Sequence, residues 1–243
     1  MAKNYKHIVI LCDGDFPSSP QPLEKLKNSD IIIACDGAMT TLAKNGFTAN
    51  YIVGDIDTLS EQEKKKYSDI IIYNPDQETN DQTKAFNFAI SLLEEKQNLN
   101  IEKKQEDILD IADYLNNPKT PDCHQITIIG ATGKREDHTI GNISLLADYL
   151  KVARRLNVKI STITDYGIFI PIINTTQICN MQGRSLSIFA FDNSLKITSQ
   201  GLEYQTENVV WDLWWKATLN KITKPYAKLE FSHSAKALLY FPF

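Results

Sequence analysis

The sequence predicts an α/β protein: a doubly wound, mostly parallel sheet followed by a smaller antiparallel β-sandwich. Three observations carry this. Short, continuous, β-branched runs alternate with helical patterns over the first two-thirds of the 243 residues, as in parallel sheets covered on both faces. Each run ends in Asp, Gly or other polar residues. Beyond about Arg155 the helical stripes stop and strand-like segments follow one another with turn residues between them.

The first run is His7-Ile8-Val9-Ile10-Leu11, ending in Asp13-Gly14-Asp15. The second, Ile31-Ile32-Ile33-Ala34, gives Asp36-Gly37 and then a stripe of Ala38, Met39, Leu42 and Ala43 that Gly46 ends. Tyr51-Ile52-Val53 delivers Gly54-Asp55-Ile56-Asp57, and Ile70-Ile71-Ile72-Tyr73 leads into Asp76-Gln77-Glu78-Thr79-Asn80-Asp81. Ala85, Phe86, Ala89, Ile90 and Leu93 then share one helical face. Residues 97–124 are polar and charged and read as a peripheral excursion without chemistry, with a helix around Asp107–Leu115. Ile126-Thr127-Ile128-Ile129 runs into Gly130-Ala131-Thr132-Gly133-Lys134-Arg135-Glu136-Asp137-His138 and a stripe of Ile140, Ile143, Leu146, Ala147 and Leu150. The expected units are residues 1–155 and 156–243. Within the second, VKISTITDYGIFIPI, RSLSIFAF, SLKITSQGLEYQ, YAKLEFS and ALLYF are the strand candidates.

Composition excludes several classes. Apolar residues make up 42% and charged residues 23%, ordinary for a globular protein. A net charge of −4 offers no broad nucleic-acid footprint. No apolar run reaches the ~20 residues of a membrane span, and the N-terminus reads as a first strand rather than a signal peptide. The four cysteines form no CxxC pair, and a cytoplasmic location with free thiols is the expectation.

In an open parallel sheet the ligand crevice lies beyond the carboxyl ends of the strands, so five polar clusters converge on one rim. Asp55 and Asp57 are one residue apart, and in extended chain they share a face. Two like charges about 4 Å apart repel by roughly 4 kcal/mol at an effective dielectric near 20, which solvent, a shared proton, a basic partner or a metal must offset; several carboxylates on one rim need a cation. Asp55, Asp57, Asp81 and Asp137 supply hard oxygen ligands with no His/Cys cluster in competition, which points to Mg²⁺ and hence to a phosphate substrate. The GATGKRED loop suits phosphate: Gly130 and Gly133 allow close backbone approach, and Lys134 and Arg135 neutralise oxygens.

The motifs VGDIDT, PDQETNDQTKA and GATGKREDHTIGN, in this order at these strand ends, resemble the thiamine pyrophosphokinase family, whose pattern reads approximately GDFDS, DxDxTD and GxxGxRxDH. The resemblance covers most of the chain. It implies that Asp55, Asp57, Asp81 and Asp137 bind magnesium around the triphosphate and the reacting alcohol. Asp36, in CDGA, faces the same crevice, and Arg135 is the arginine of the third motif. Gln77 matches a thiamine-contacting position, beside Asn80, which stands where Thr is common. In the β-rich part Tyr204 of GLEY and Asn220 of ATLNK fall on the thiamine side, where Trp211, Trp214 and Trp215 add aromatic faces suited to a flat cation. The implied reaction moves the β,γ-diphosphoryl group of ATP to the hydroxyl of thiamine, AMP leaving, with Asp81 or Asp137 as proton acceptor. The resemblance further implies a homodimer whose thiamine pocket lies between subunits. A pyrophosphokinase of another heterocyclic alcohol, pterin-like, a Mg²⁺-dependent nucleotide hydrolase, and a non-catalytic thiamine- or nucleotide-sensing module are the rival readings.

Overall fold

His7–Leu11 is fully buried and forms β1, whose alternate residues reach two different cores: Ile8 and Ile10 on one face, Val9 and Leu11 on the other. Two covered faces are what a continuous apolar run requires. The computed structural model describes residues 5–94, 106–115 and 123–243. After β1 come α1 (Pro20–Lys27), β2 (Ile31–Cys35), α2 (Ala38–Lys44), β3 (Tyr51–Gly54), α3 (Glu61–Lys66), β4 (Ile71–Tyr73) and α4 (Asp81–Glu94). They are followed by β5 (Glu106–Asp110), α5 (Ala112–Leu115), β6 (His124–Ile129), α6 (Glu136–Arg155) and β7 (Val158–Ile163). Seven strands complete the chain: β8 (Gly167–Ile172), β9 (Thr175–Cys179), β10 (Ser185–Ala190), β11 (Ile197–Gln200), β12 (Ala217–Lys221), β13 (Tyr226–Phe231) and β14 (Ala237–Pro242).

A ten-stranded sheet runs β12-β10-β14-β8-β7-β6-β1-β2-β3-β4. From β7 to β4 all pairings are parallel. The chain builds outward from β1 to β4 and then returns to β1's other side with β6, so the order reverses between β1 and β6. That reversal opens a crevice at their carboxyl ends. One face is covered by Leu26, Met39 and Leu42 from α1 and α2. The other is covered by the expected stripes of α4 and α6, including Phe86, Ile90, Leu146 and Leu150. Ile140, expected in the α6 stripe, is exposed instead.

β8 turns back antiparallel on β7, and β14, β10 and β12 continue antiparallel. A second sheet, β11-β13-β9-β5, closes the sandwich over Ile168, Ile188, Leu229, Leu239 and Trp211. The anticipated boundary at 155/156 falls between α6 and β7, and β7 pairs in parallel with β6 across it.

The region expected as a peripheral helical excursion is different. Glu106–Asp110 is a strand, β5, and only Ala112–Leu115 is helical. Leu109 and Ile111 are buried in the sandwich core while Ile108 is 78% exposed, the alternation of an edge strand. β5 pairs in parallel with β9, and Asp107 is held by Arg154 and Glu106 by Lys228. The rest of that stretch, 97–105 and 116–122, lies outside the described residues. Among the described residues no helix is long and apolar enough to cross a membrane.

Candidate active site

Beyond the carboxyl ends of β1, β2, β3 and β6 lies a cavity of about 450 Å³. Each expected strand-end cluster contributes to it: Asp13, Asp36, Asp55, Gln77 with Asn80 and Asp81, and Gly133 with Lys134 and Arg135.

Asp36, Asp55 and Asp57 converge, with one oxygen from each all within 4.8 Å of one another. The reason is not continued strand geometry. Between the two loop acids Ile56 has φ +61°, the left-handed region a β-branched residue normally avoids. Its side chain is buried in the core, which fixes the reversal and brings the acids together around it. Asp36 is 2% exposed. Its Oδ2 accepts from the Thr58 amide at 3.2 Å, while Oδ1 is buried without a partner. Burial raises its pKa, against the hydrogen bonds from Thr58. At Asp55 the hydrogen bond from Gln77 Nε2, 3.0 Å, lowers the pKa, with Lys84 assisting. Gly54 is required by packing: a Cβ there would meet Asp36 Cβ at 2.9 Å and Asp81 Oδ1 at 3.3 Å.

Hard oxygen donors around an unpartnered buried carboxylate oxygen fit a divalent cation. The group differs from the expected one. Asp36 joins Asp55 and Asp57, whereas Asp81 and Asp137 are each held by a cation of the chain. Asp81 accepts from Lys84 Nζ at 3.0 Å, and the same Nζ lies 3.7 Å from Asp55. Asp137 is gripped by Arg135 through two bonds, 3.1 and 2.6 Å. That grip, with the His138 amide, holds its carboxyl at about 2. Asp137 does not line the cavity, though Arg135 and His138 do.

Lys84 is missing from the sequence-based set. It is 4% exposed on α4, one turn after Asp81. Burial disfavours its charge, but the hydrogen bond and field of Asp81, with Asp55, outweigh that and raise its pKa. The available signal was a lysine inside a stripe otherwise made of Ala85, Phe86 and Ala89.

In the same cavity lining Lys134 Nζ donates to Asp13 Oδ1 at 2.8 Å. Gly133 has φ +83°, and a side chain there would collide with Asp15. Gly133 also lines an adjoining cavity of about 360 Å³ with Asp165, Tyr166 and Phe169, whereas Gly130 lines that second cavity and not the first.

The residues assigned to thiamine divide. Gln77 and Asn80 line the cavity, although Asn80 also caps α4 through the Thr83 amide and donates to Asn142. Tyr204 and Asn220 do not line it. Buried Asn220 clamps the backbone of Tyr204, accepting from its amide at 3.1 Å and donating to its carbonyl at 2.7 Å, and leaves the Tyr204 ring 62% exposed. Trp211 belongs to the sandwich core, whereas Trp214 and Trp215 are half exposed.

The family model described as thiamin pyrophosphokinase, catalytic domain, matches residues 23–160. The chain belongs to the thiamin pyrophosphokinase family. The family's substrate-binding domain matches residues 167–240, which include Tyr204, Asn220 and the three tryptophans. Solved structures of similar fold include thiamine pyrophosphokinase from Bacillus subtilis (21% identity, TM-score 0.67, covering 98% of this chain and 99% of that one). The Candida albicans enzyme is 19% identical with TM-score 0.69, over 98% of this chain and 93% of that one. For yeast the values are 19% and 0.71, over 99% and 87%. No curated protein sequence matches the chain. Both halves of the thiamin pyrophosphokinase architecture are thus present, and the pterin-type, hydrolase and sensing alternatives are not favoured.

Proposed function

We propose that this thiamin pyrophosphokinase family member transfers the β,γ-diphosphoryl group of ATP to the hydroxyethyl oxygen of thiamine, releasing AMP, with Mg²⁺ at the Asp36–Asp55–Asp57 cluster. The observation that carries this reading is the unpartnered Oδ1 of Asp36, within an acidic group and in one cavity lining with residues of the GATGK loop. Bound there, Mg²⁺ would supply charge neutralisation to the transferring phosphates. The rest is positioning and electrostatics. Lys134 and Arg135 exchange their carboxylate partners Asp13 and Asp137 for phosphate oxygens as ATP enters. Lys84 holds Asp55 and Asp81 in place. Of the two candidate bases Asp81 is favoured, because it lines the cavity.

Within one chain the exposed Tyr204, Trp214 and Trp215 lie outside the cavity lining. A second copy bringing its aromatic residues to the cavity completes a thiamine pocket, which favours a homodimer. The deciding assay supplies ATP and Mg²⁺ with and without thiamine. Thiamine diphosphate and AMP in equal amounts, formed only with thiamine, are expected. Thiamine-independent AMP, or ADP as the product, refutes the proposal, and a monomer by light scattering refutes the shared pocket.

A further inference from the structure

We propose that Cys12 and Cys35 form a modifiable dithiol on the cavity floor, where hydrogen peroxide closes a disulfide between β1 and β2. Leu11 is in register with Ala34 on these neighbouring parallel strands, and Cys12 and Cys35 are the residues that directly follow this last pair. Adjacent strands lie about 4.8 Å apart, inside the ~4.4–6.8 Å Cα separation that a disulfide spans. Both side chains enter the same core, beneath α4, where the neighbouring Cys12 thiol and burial raise the Cys35 pKa. Both also line the cavity, so a small oxidant that enters it meets them together.

The chemistry is balanced by the peroxide. One sulfur attacks the O–O bond, giving a sulfenic acid and one water. The second sulfur displaces the sulfenic hydroxyl, which leaves with the remaining thiol proton as a second water while the S–S bond forms. The two thiols lose two electrons and two protons, and the peroxide takes them up.

The bond would be felt in the site. Cys12 Sγ donates to Gln82 Oε1 at 3.4 Å. Buried Gln82 in turn donates to the Asn142 carbonyl at 2.9 Å, and the Asn142 side chain joins Asn80 to the Ala131 carbonyl. Oxidation removes the thiol donor and leaves a buried acceptor unpaired. Asp13 and Asp36 directly follow the two cysteines, so drawing the strand ends together moves the partner of Lys134 and one member of the acidic cluster.

The test treats the folded full chain with hydrogen peroxide, blocks free thiols and digests with trypsin. Cys12 falls in the peptide 7–25 and Cys35 in 28–44. A linked pair lacking two hydrogens, reversed by dithiothreitol and absent from Cys35→Ala, is expected. Activity in the same sample should fall at least tenfold and return on reduction, while Cys35→Ala keeps more than half of its own untreated activity. Unmodified thiols, or only sulfinic and sulfonic acids, overturn the site. A linked pair with undiminished turnover overturns its effect on the cavity. The linkage is read by mass and does not rest on the proposed reaction, whereas the activity loss does. An untreated enzyme that makes no thiamine diphosphate defeats that reaction and leaves the dithiol to be judged by mass.

Discussion

Replacing Lys84 with methionine tests the interior of the site. The Nζ lies 3.0 Å from Asp81 and 3.7 Å from Asp55. At an effective dielectric near 20 each pair is worth roughly 5 kcal/mol of gross attraction. Most of this is offset by the cost of burying the ammonium. Water screens the carboxylates too, since the Asp81 side chain is 37% and that of Asp55 24% exposed. Methionine fills the stem's volume, so the net loss expected at pH 7 is about 1–3 kcal/mol. The sign with pH follows. The lysine, with its pKa raised, is charged throughout the acidic and neutral range, and Asp55, with its pKa lowered, gives up its charge only as pH falls through the acidic range. The difference between the two proteins is therefore full near neutrality and shrinks as pH falls through the carboxylate range. Urea denaturation of both proteins at pH 7 and pH 4 measures it, and the double variant with Asp81→Asn isolates the pair. A difference below about 0.5 kcal/mol at pH 7, or one that grows on acidification, refutes the assignment of Lys84 as the cation that holds these acids.

Three further outcomes are expected. Asp36→Asn removes a buried charge whose pKa burial has raised. It should leave stability unchanged or up to about 1 kcal/mol higher while lowering turnover at least ~100-fold, read from a melting curve and a product assay on the same sample. Gly54→Ala drives a methyl group against Asp36 and Asp81. A loss of about 1–3 kcal/mol and weaker Mg²⁺ activation should appear together in denaturation and metal titration. His7 is buried, with its pKa lowered to about 4 by burial and then by Lys25. The unfolded chain takes up a proton near 6.5 that the folded chain refuses, so stability should fall as pH drops from about 6.5 to 4. The loss should reach about 3 kcal/mol at most, and His7→Gln should flatten that window in urea titrations.

The parallel half was legible in the sequence because burial on both faces writes itself as uninterrupted β-branched runs, and the rim followed from what ended each run. Lys84 was hidden for the same reason: a stripe read by its apolar members passes over a lysine whose ammonium is satisfied by acids from another loop. Asp36 was assigned to the nucleotide rather than to the cation group because only the reversal at Ile56 brings Asp55 and Asp57 to it, and a left-handed isoleucine has no sequence signal. In the second half, β9 (TTQIC) and β12 (ATLNK) carry too few apolar residues to stand out, and they form through pairing with β13 and β10. The segment Glu106–Asp110 has charges enough for a helix surface, and it became a strand because a sheet edge from later in the chain receives it.

That last pairing bears on how the protein is made. β5 leaves the ribosome about 70 residues before β9, the strand it joins. Until then Leu109 and Ile111 have no sandwich to enter. Synthesis therefore passes through a nascent species with a finished nucleotide half and a sticky, unclaimed ribbon, the kind of exposed edge that chaperones recognise and that aggregates when they are scarce. Slowing translation just before residue 175 would lengthen that exposure, and a gene cut at the middle would strand the ribbon for good.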